Sequence, residues 1–184
     1  MNEKPEKIIK AAIELIAENG FHNSPTSLIS KRAGVGVGTI YRYFANKEKL
    51  IEEAHHYVRD DLMESVFKTD DKNLPARDRF IRLFTNMYQY LLNNKSHNKF
   101  FEQFYNSPFG MKQKRIGEDF MLFEEFFHFL KNQQLIKDMD NELLIALALG
   151  PLLFVLNEHF TGYIIADQKA VDKLVVSSWD AVKL

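Results

Sequence analysis

Residues 24–50, SPTSLISKRAGVGVGTIYRYFANKEKL, restrict the fold more than any other stretch, because they ask for two very short helices with a fixed turn between them. Ser24 is a good N-cap, Pro25 suits a first helical turn, and Leu28, Ile29 and Ala33 share one side of the helix that follows. Gly34 supplies the left-handed residue that ends it, and the next helix starts within two or three residues. In that second helix Ile40 and Phe44 stand four apart and face inward, which leaves Thr39, Tyr41, Arg42 and Tyr43 outside. Hydroxyls and a guanidinium are poor choices for a merely solvated face. They suit phosphates and base edges in the major groove of DNA. The stretch reads as a helix-turn-helix.

The rest of the chain is helical by the same logic. Ile8, Ile9, Ala12, Ile13, Leu15, Ile16 and Phe21 predict a helix over 4–18, closed by Asn19-Gly20, that packs behind the two-helix motif. Asn46 caps a long helix over 47–68, and residues 69–75 read as a loop. A helix over 76–93 and a short one carrying Phe100, Phe101, Phe104 and Tyr105 follow. The helix expected over 111–132 has two apolar stripes, Phe120, Phe123, Phe127 and Leu130 beside Leu122, Phe126 and Phe129. Asp140 caps an apolar helix over 141–165, and a last helix over 169–183 shows Val171, Leu174, Val175, Ser178, Trp179 and Val182 on one face. The expected fold is all-α. A three-helix DNA-binding domain spans 1–46 and a larger helical ligand-binding and dimerisation domain spans 47–184.

Charge agrees with that division. Residues 1–50 hold eight Lys and Arg against five Asp and Glu, and the remainder holds 16 against 20, so a weakly basic end joins an acidic body. The chain has no cysteine, hence no disulfide and no thiolate chemistry. The first twenty residues lack the apolar core of a signal peptide, and the longest uncharged apolar run, 143–156, is too short to span a bilayer. These points predict a cytoplasmic protein with no membrane partner.

Three segments together resemble the DNA-binding domain of TetR/AcrR-type bacterial regulators: Ile29-Ser-Lys-Arg-Ala-Gly34-Val, Gly38-Thr-Ile-Tyr-Arg-Tyr-Phe44 and Asn46-Lys-Glu-Lys-Leu50. The resemblance covers about the first 50 residues and is specific, since the motifs keep one order and spacing. It implies that Thr26, Thr39, Tyr41 and Tyr43 hold phosphates, that Ser27 reaches a base, and that Lys47 meets a phosphate where its helix begins. Arg42 is the first choice for base reading, because its fork matches guanine O6 and N7. At Gly36 and Val37, where many relatives carry Ser and Lys, a cationic contact is lost. Val37 is left to touch a thymine methyl.

One small helix-turn-helix makes too few contacts for specificity, so a homodimer on a palindromic operator is expected. Leu174, Val175, Ser178, Trp179 and Val182, with surplus apolar surface on the preceding helix, are the expected dimer interface. Phe84, Met87, Tyr88, Phe101, Phe104, Tyr105, Phe120, Phe123, Phe127 and Phe154 are expected to line a cavity for a small apolar effector. The resemblance implies that filling it releases DNA, most simply as a repressor. The alternative is a helical carrier or sensor of hydrophobic molecules with little sequence-specific DNA binding.

Catalytic and cofactor readings find no footing. His55-His56 and Glu158-His159 are adjacent pairs without metal-ligand spacing. Gly34-Val-Gly36-Val-Gly38 follows no strand and fails dinucleotide-loop spacing. No cofactor and no enzymatic activity are expected.

Overall fold

A computed structural model describes residues 3–112 and 121–184 of the chain. The fold is all-α. Among the described residues there are ten helices and no strand, only an isolated antiparallel bridge between Ile136 and Lys183. The helices are α1 (Glu3–Asn19), α2 (Thr26–Ala33), α3 (Val37–Tyr43), α4 (Lys47–Phe67) and α5 (Ala76–Asn93). They continue as α6 (Lys95–Tyr105), α7 (Pro108–Lys112), α8 (Met121–Asn132), α9 (Asn141–Thr161) and α10 (Gln168–Val182). By packing the chain divides into two units, Met1–Asp61 with Asn94–Lys114 and Leu62–Asn93 with Arg115–Leu184.

In the first unit α1 is the hub. Its Ile8, Ile9, Ala12, Ile13 and Ile16 are buried, and α2, α3 and α6 all pack on it. The α4 residues of this unit add Leu50, Ile51, Ala54 and Val58 to the core. His55 lies among rings, stacked on Phe104 at 4.0 Å with Phe101 and Tyr105 edge-on. Burial holds its pKa down at about 4, with the charges of His56 and Arg59 acting the same way, so the imidazole is neutral near pH 7.

In the second unit α9 packs on α10, α5 and α8, and α10 packs on α5. Phe80 and Phe84 stack at 4.0 Å, Trp179 meets Phe80 edge-on at 5.2 Å, and Phe123 meets Phe84 at 5.4 Å. Each such ring removes apolar area worth roughly 1.5–3 kcal/mol from water. Within α9 the helix continues through Pro151.

Several expectations are corrected here. α9 ends at Thr161 rather than 165. At 21 residues it is also longer than its uncharged run, and long and apolar enough to cross a bilayer by length and composition. Six of its residues are buried in the chain, while Leu143, Leu147, Leu153 and Phe154 form an exposed stripe. Phe154 is 62% exposed and belongs to this stripe, apart from the buried aromatic residues. The apolar face of α10 is not free for a partner either: Val175, Ser178, Trp179 and Val182 are buried and Leu174 is half-buried, because α5 and α9 already cover that face. Of the helix expected over 111–132, residues 111–112 belong to α7 and 121–132 to α8, while Phe120 and the rest of 113–120 lie outside the described residues.

The remaining aromatic residues expected around a cavity divide between the units. Phe84, Met87, Tyr88, Phe123 and Phe127 are buried in the second, where Phe84 touches both Phe123 and Phe127. Phe101 and Phe104 are buried in the first, beside a Tyr105 that is 37% exposed.

Candidate nucleic-acid interface

The two-helix motif is held by backbone chemistry at its turn. Gly34 sits at φ 67°, and the N–H groups of Gly34 and Val35 bond the carbonyls of Lys31 and Ser30, which closes α2. Gly36, extended, opens α3 two residues later. The inward anchors of α3 are as the spacing predicts: Ile40 is 1% exposed and Phe44 5%.

The start of α2 differs from the sequence reading. Ser24 is fully buried, and its Oγ lies 2.7 Å from the Gly20 carbonyl and 3.0 Å from that of Leu15, so its single proton is shared between them. It ties the chain to the end of α1 instead of capping α2. Pro25 takes the N-cap position and α2 begins at Thr26. Of the three apolar residues given to α2's inner side, Ile29 is buried and Ala33 half-buried, but Leu28 is 43% exposed.

The outer surface of the motif carries most of the expected residues. Ser27, Val37, Tyr41 and Arg42 are exposed, and Thr26, Thr39 and Tyr43 are half-exposed. Tyr41 Oη reaches Thr26 Oγ1 at 3.5 Å, which sets a hydroxyl of α3 next to one of α2. The Arg42 guanidinium lies 5.4 Å from the centre of the Tyr43 ring, a cation–π contact that restrains a long exposed side chain. A pair of neighbouring hydroxyls, one from α2 and one from α3, and a steadied guanidinium on α3 form a surface that accepts and donates to phosphates and base edges.

Most cations nearby are already engaged. Arg32 pairs with Glu18 at 2.7 Å and Glu14 at 3.4 Å, Lys10 with Glu6, and Lys49 with Glu52 and Glu53. Lys47, expected at a phosphate, is turned inward. Its ammonium donates to the Phe21 carbonyl at 2.8 Å, and burial lowers its pKa. It fastens the start of α4 to the turn after α1. Within the two-helix motif Lys31 and Arg42 are left without a carboxylate partner among the described residues. The sequence reading missed Lys31. Lys31 and Arg32 are adjacent, and only the fold shows that Arg32 is the one taken by α1.

Comparison with known proteins finds two family models that match separate stretches of the chain. The family model described as "Bacterial regulatory proteins, tetR family" matches residues 8–54, and one described as "Tetracyclin repressor-like, C-terminal domain" matches 75–183. A protein of Haemophilus influenzae named as an uncharacterized HTH-type transcriptional regulator is 25% identical over 181 residues, 97% of this chain and 95% of that one. The fatty acid metabolism regulator protein of Bacillus subtilis is 60% identical over 45 residues, which are 24% of this chain and 23% of that protein. The crystal structure of a TetR family transcription regulator from Marinobacter aquaeolei superposes with a TM-score of 0.89 at 21% identity, over 98% of this chain and 95% of that one. At that identity the superposition speaks for the fold.

Proposed function

The chain belongs to the TetR family of bacterial regulatory proteins and is a helix-turn-helix transcriptional regulator; from that premise we propose that it is a repressor, bound to a palindromic operator as a homodimer and released by a small apolar effector. Residues 1–46 form the DNA-binding domain in this reading and residues 47–184 the effector-binding and dimerisation domain. The protein works in the cytoplasm, where its DNA is.

The observation that carries the reading is the outer side of α3. One of its seven residues is buried, and the rest present hydroxyls, a methyl-bearing Val37 and the Arg42 fork. Arg42 reads guanine, and Val37 meets a thymine methyl. Ser27 reaches a base from α2. Thr26, Thr39, Tyr41 and Tyr43 hold phosphates, and Lys31 supplies the cation that Lys47 does not.

Dimerisation moves from α10 to the exposed stripe of α9. Leu143, Leu147, Leu153 and Phe154 recur at helical spacing, and an apolar strip of this kind in a water-facing helix favours a partner. Two copies meeting about a two-fold bury it in a helical bundle. Sedimentation at micromolar concentration tests this. A dimer that Phe154→Asp converts to a well-folded monomer is the expected result, and a monomeric parent protein ends the proposal.

For the effector, the buried cluster of Phe84, Met87, Tyr88, Phe123 and Phe127 is the proposed contact set. Its support is the Tyr88 hydroxyl, 98% enclosed with its residue and without a hydrogen-bond partner among the described residues. A buried unsatisfied hydroxyl is costly, by about 1–3 kcal/mol. A mostly apolar ligand with one polar group relieves that cost. Linkage does the rest, since a ligand that prefers the DNA-incompatible arrangement must lower DNA affinity by the same factor. Gel shifts on the DNA upstream of the protein's own reading frame, with and without apolar compounds, test the whole reading. A retarded band that such a compound abolishes is expected. Equal retardation of unrelated DNA overturns sequence-specific binding.

A further inference from the structure

The second stripe of α8 has no part in the function above. Leu122, Phe126 and Phe129, with Phe67 at the end of α4, wall a cleft of about 340 Å³ that lies within the second unit. That is within the usual range for small-molecule sites, roughly 300–1,000 Å³. Leu122 and Phe129 remain 38% and 42% exposed beside it.

The polar side of the cleft centres on Arg79, which is 8% exposed. Its Nε and Nη2 donate to the two oxygens of Asp70 at 2.9 and 2.8 Å. Its guanidinium lies 4.7 Å from the ring centre of Phe126 and 5.6 Å from that of Phe129. A guanidinium carries five N–H groups, and this pairing uses one on Nε and one on Nη2. Among the described residues no acceptor bonds Nη1. Nη1 is not enclosed by the protein, so its donors stay available at the cleft that Arg79 lines.

The geometry points to a second small-molecule site, for an amphipathic carboxylic acid. The carboxylate accepts hydrogen bonds from Arg79 Nη1, and the hydrocarbon part lies along Phe67, Leu122, Phe126 and Phe129. Lys72 on the lining adds a favourable charge, and Glu125 opposes a second carboxylate, so the cleft selects monoacids over diacids. None of these residues belongs to the proposed effector cluster, and the site stands whether or not its occupancy affects DNA.

Calorimetric titration of the full chain with octanoate, and with octanamide as the uncharged counterpart, tests the site. The acid is expected to bind at least tenfold tighter than the amide. Phe129→Ser, at an exposed position, is expected to weaken octanoate at least tenfold. Asp70→Asn frees the guanidinium and is expected to tighten it threefold or more, an effect that a purely structural arginine does not produce. If circular dichroism shows Asp70→Asn to be unfolded, Lys72→Ala replaces it, with a two- to fivefold loss expected. Equal binding of acid and amide, no binding at millimolar octanoate, or an octanoate affinity untouched by Phe129→Ser overturns the proposal. Gel shifts in the same octanoate solutions read the effector function separately, and bound DNA in the presence of bound octanoate leaves the cleft intact.

Discussion

Helix α3 buries one of its seven residues, and α10 buries five of its fifteen with Trp179 among them. Both helices carry a clean division between an apolar and a polar side. In α10 the apolar side is consumed by the chain itself, against α5 and α9. In α3 the interior takes Ile40 and the Phe44 that follows, and what is left is chemically specific and faces out. The difference teaches that an apolar stripe reports burial without reporting the partner. A short helix whose exposed residues are hydroxyls and a guanidinium reports a partner outside the chain.

The largest test of that contrast is Trp179→Ala. It is expected to cost about 3–5 kcal/mol in chemical denaturation, as for other buried aromatic truncations. Tyr41→Ala, on the outer side of α3, should stay within about 0.5 kcal/mol. A Trp179→Ala protein that keeps its stability but dissociates would return α10 to the dimer interface.

Acid probes the first unit through two of its histidines. His55 has its pKa lowered in the fold, to about 4, so the unfolded chain binds more protons between there and the ordinary value near 6.5. Stability is therefore full above pH 6.5 and falls as pH drops, by about 3 kcal/mol at pH 4. His97, whose pKa is also lowered by burial, adds in the same sense. His55→Leu should flatten the profile measured by denaturation across that window; an unchanged slope would place the acid sensitivity elsewhere.

Arg42→Ala comes next, with a loss of about 1–3 kcal/mol on the operator and a relaxed preference at one base position. Equal losses on operator and random DNA would make Arg42 a phosphate contact. The smallest effect is expected from Lys47→Ala. A phosphate-binding lysine lowers the salt slope by about one when removed, but this ammonium is held by the Phe21 carbonyl, so the slope should hardly move. Lys31→Ala should produce the drop instead.

How much of this was readable beforehand follows from the range of the forces involved. The positions of α1, α2, α3 and α5 rest on local periodicity and on Gly34, and all were legible to within a residue or two. Ser24 was misread because a serine before Pro25 looks the same whether its hydroxyl faces the next helix or, as here, the carbonyls of Leu15 and Gly20. Lys47 and Arg32 turned on partners 26 and 14 residues away, a distance at which spacing carries no information. Phe154 and Trp179 were misjudged for the same reason: each sits on an apolar helix face, and only the packing decides which rings the chain keeps for itself.

Pro151 lies in the middle of α9, next to the exposed leucines and Phe154. Having no amide hydrogen, it leaves the carbonyl of Leu147 without its customary mate one turn on. An otherwise greasy surface thus carries an oxygen that its own helix serves less well. Whatever settles there must deliver a proton donor to that spot or trap a water molecule, and this makes the surface choosier than its oiliness alone would suggest.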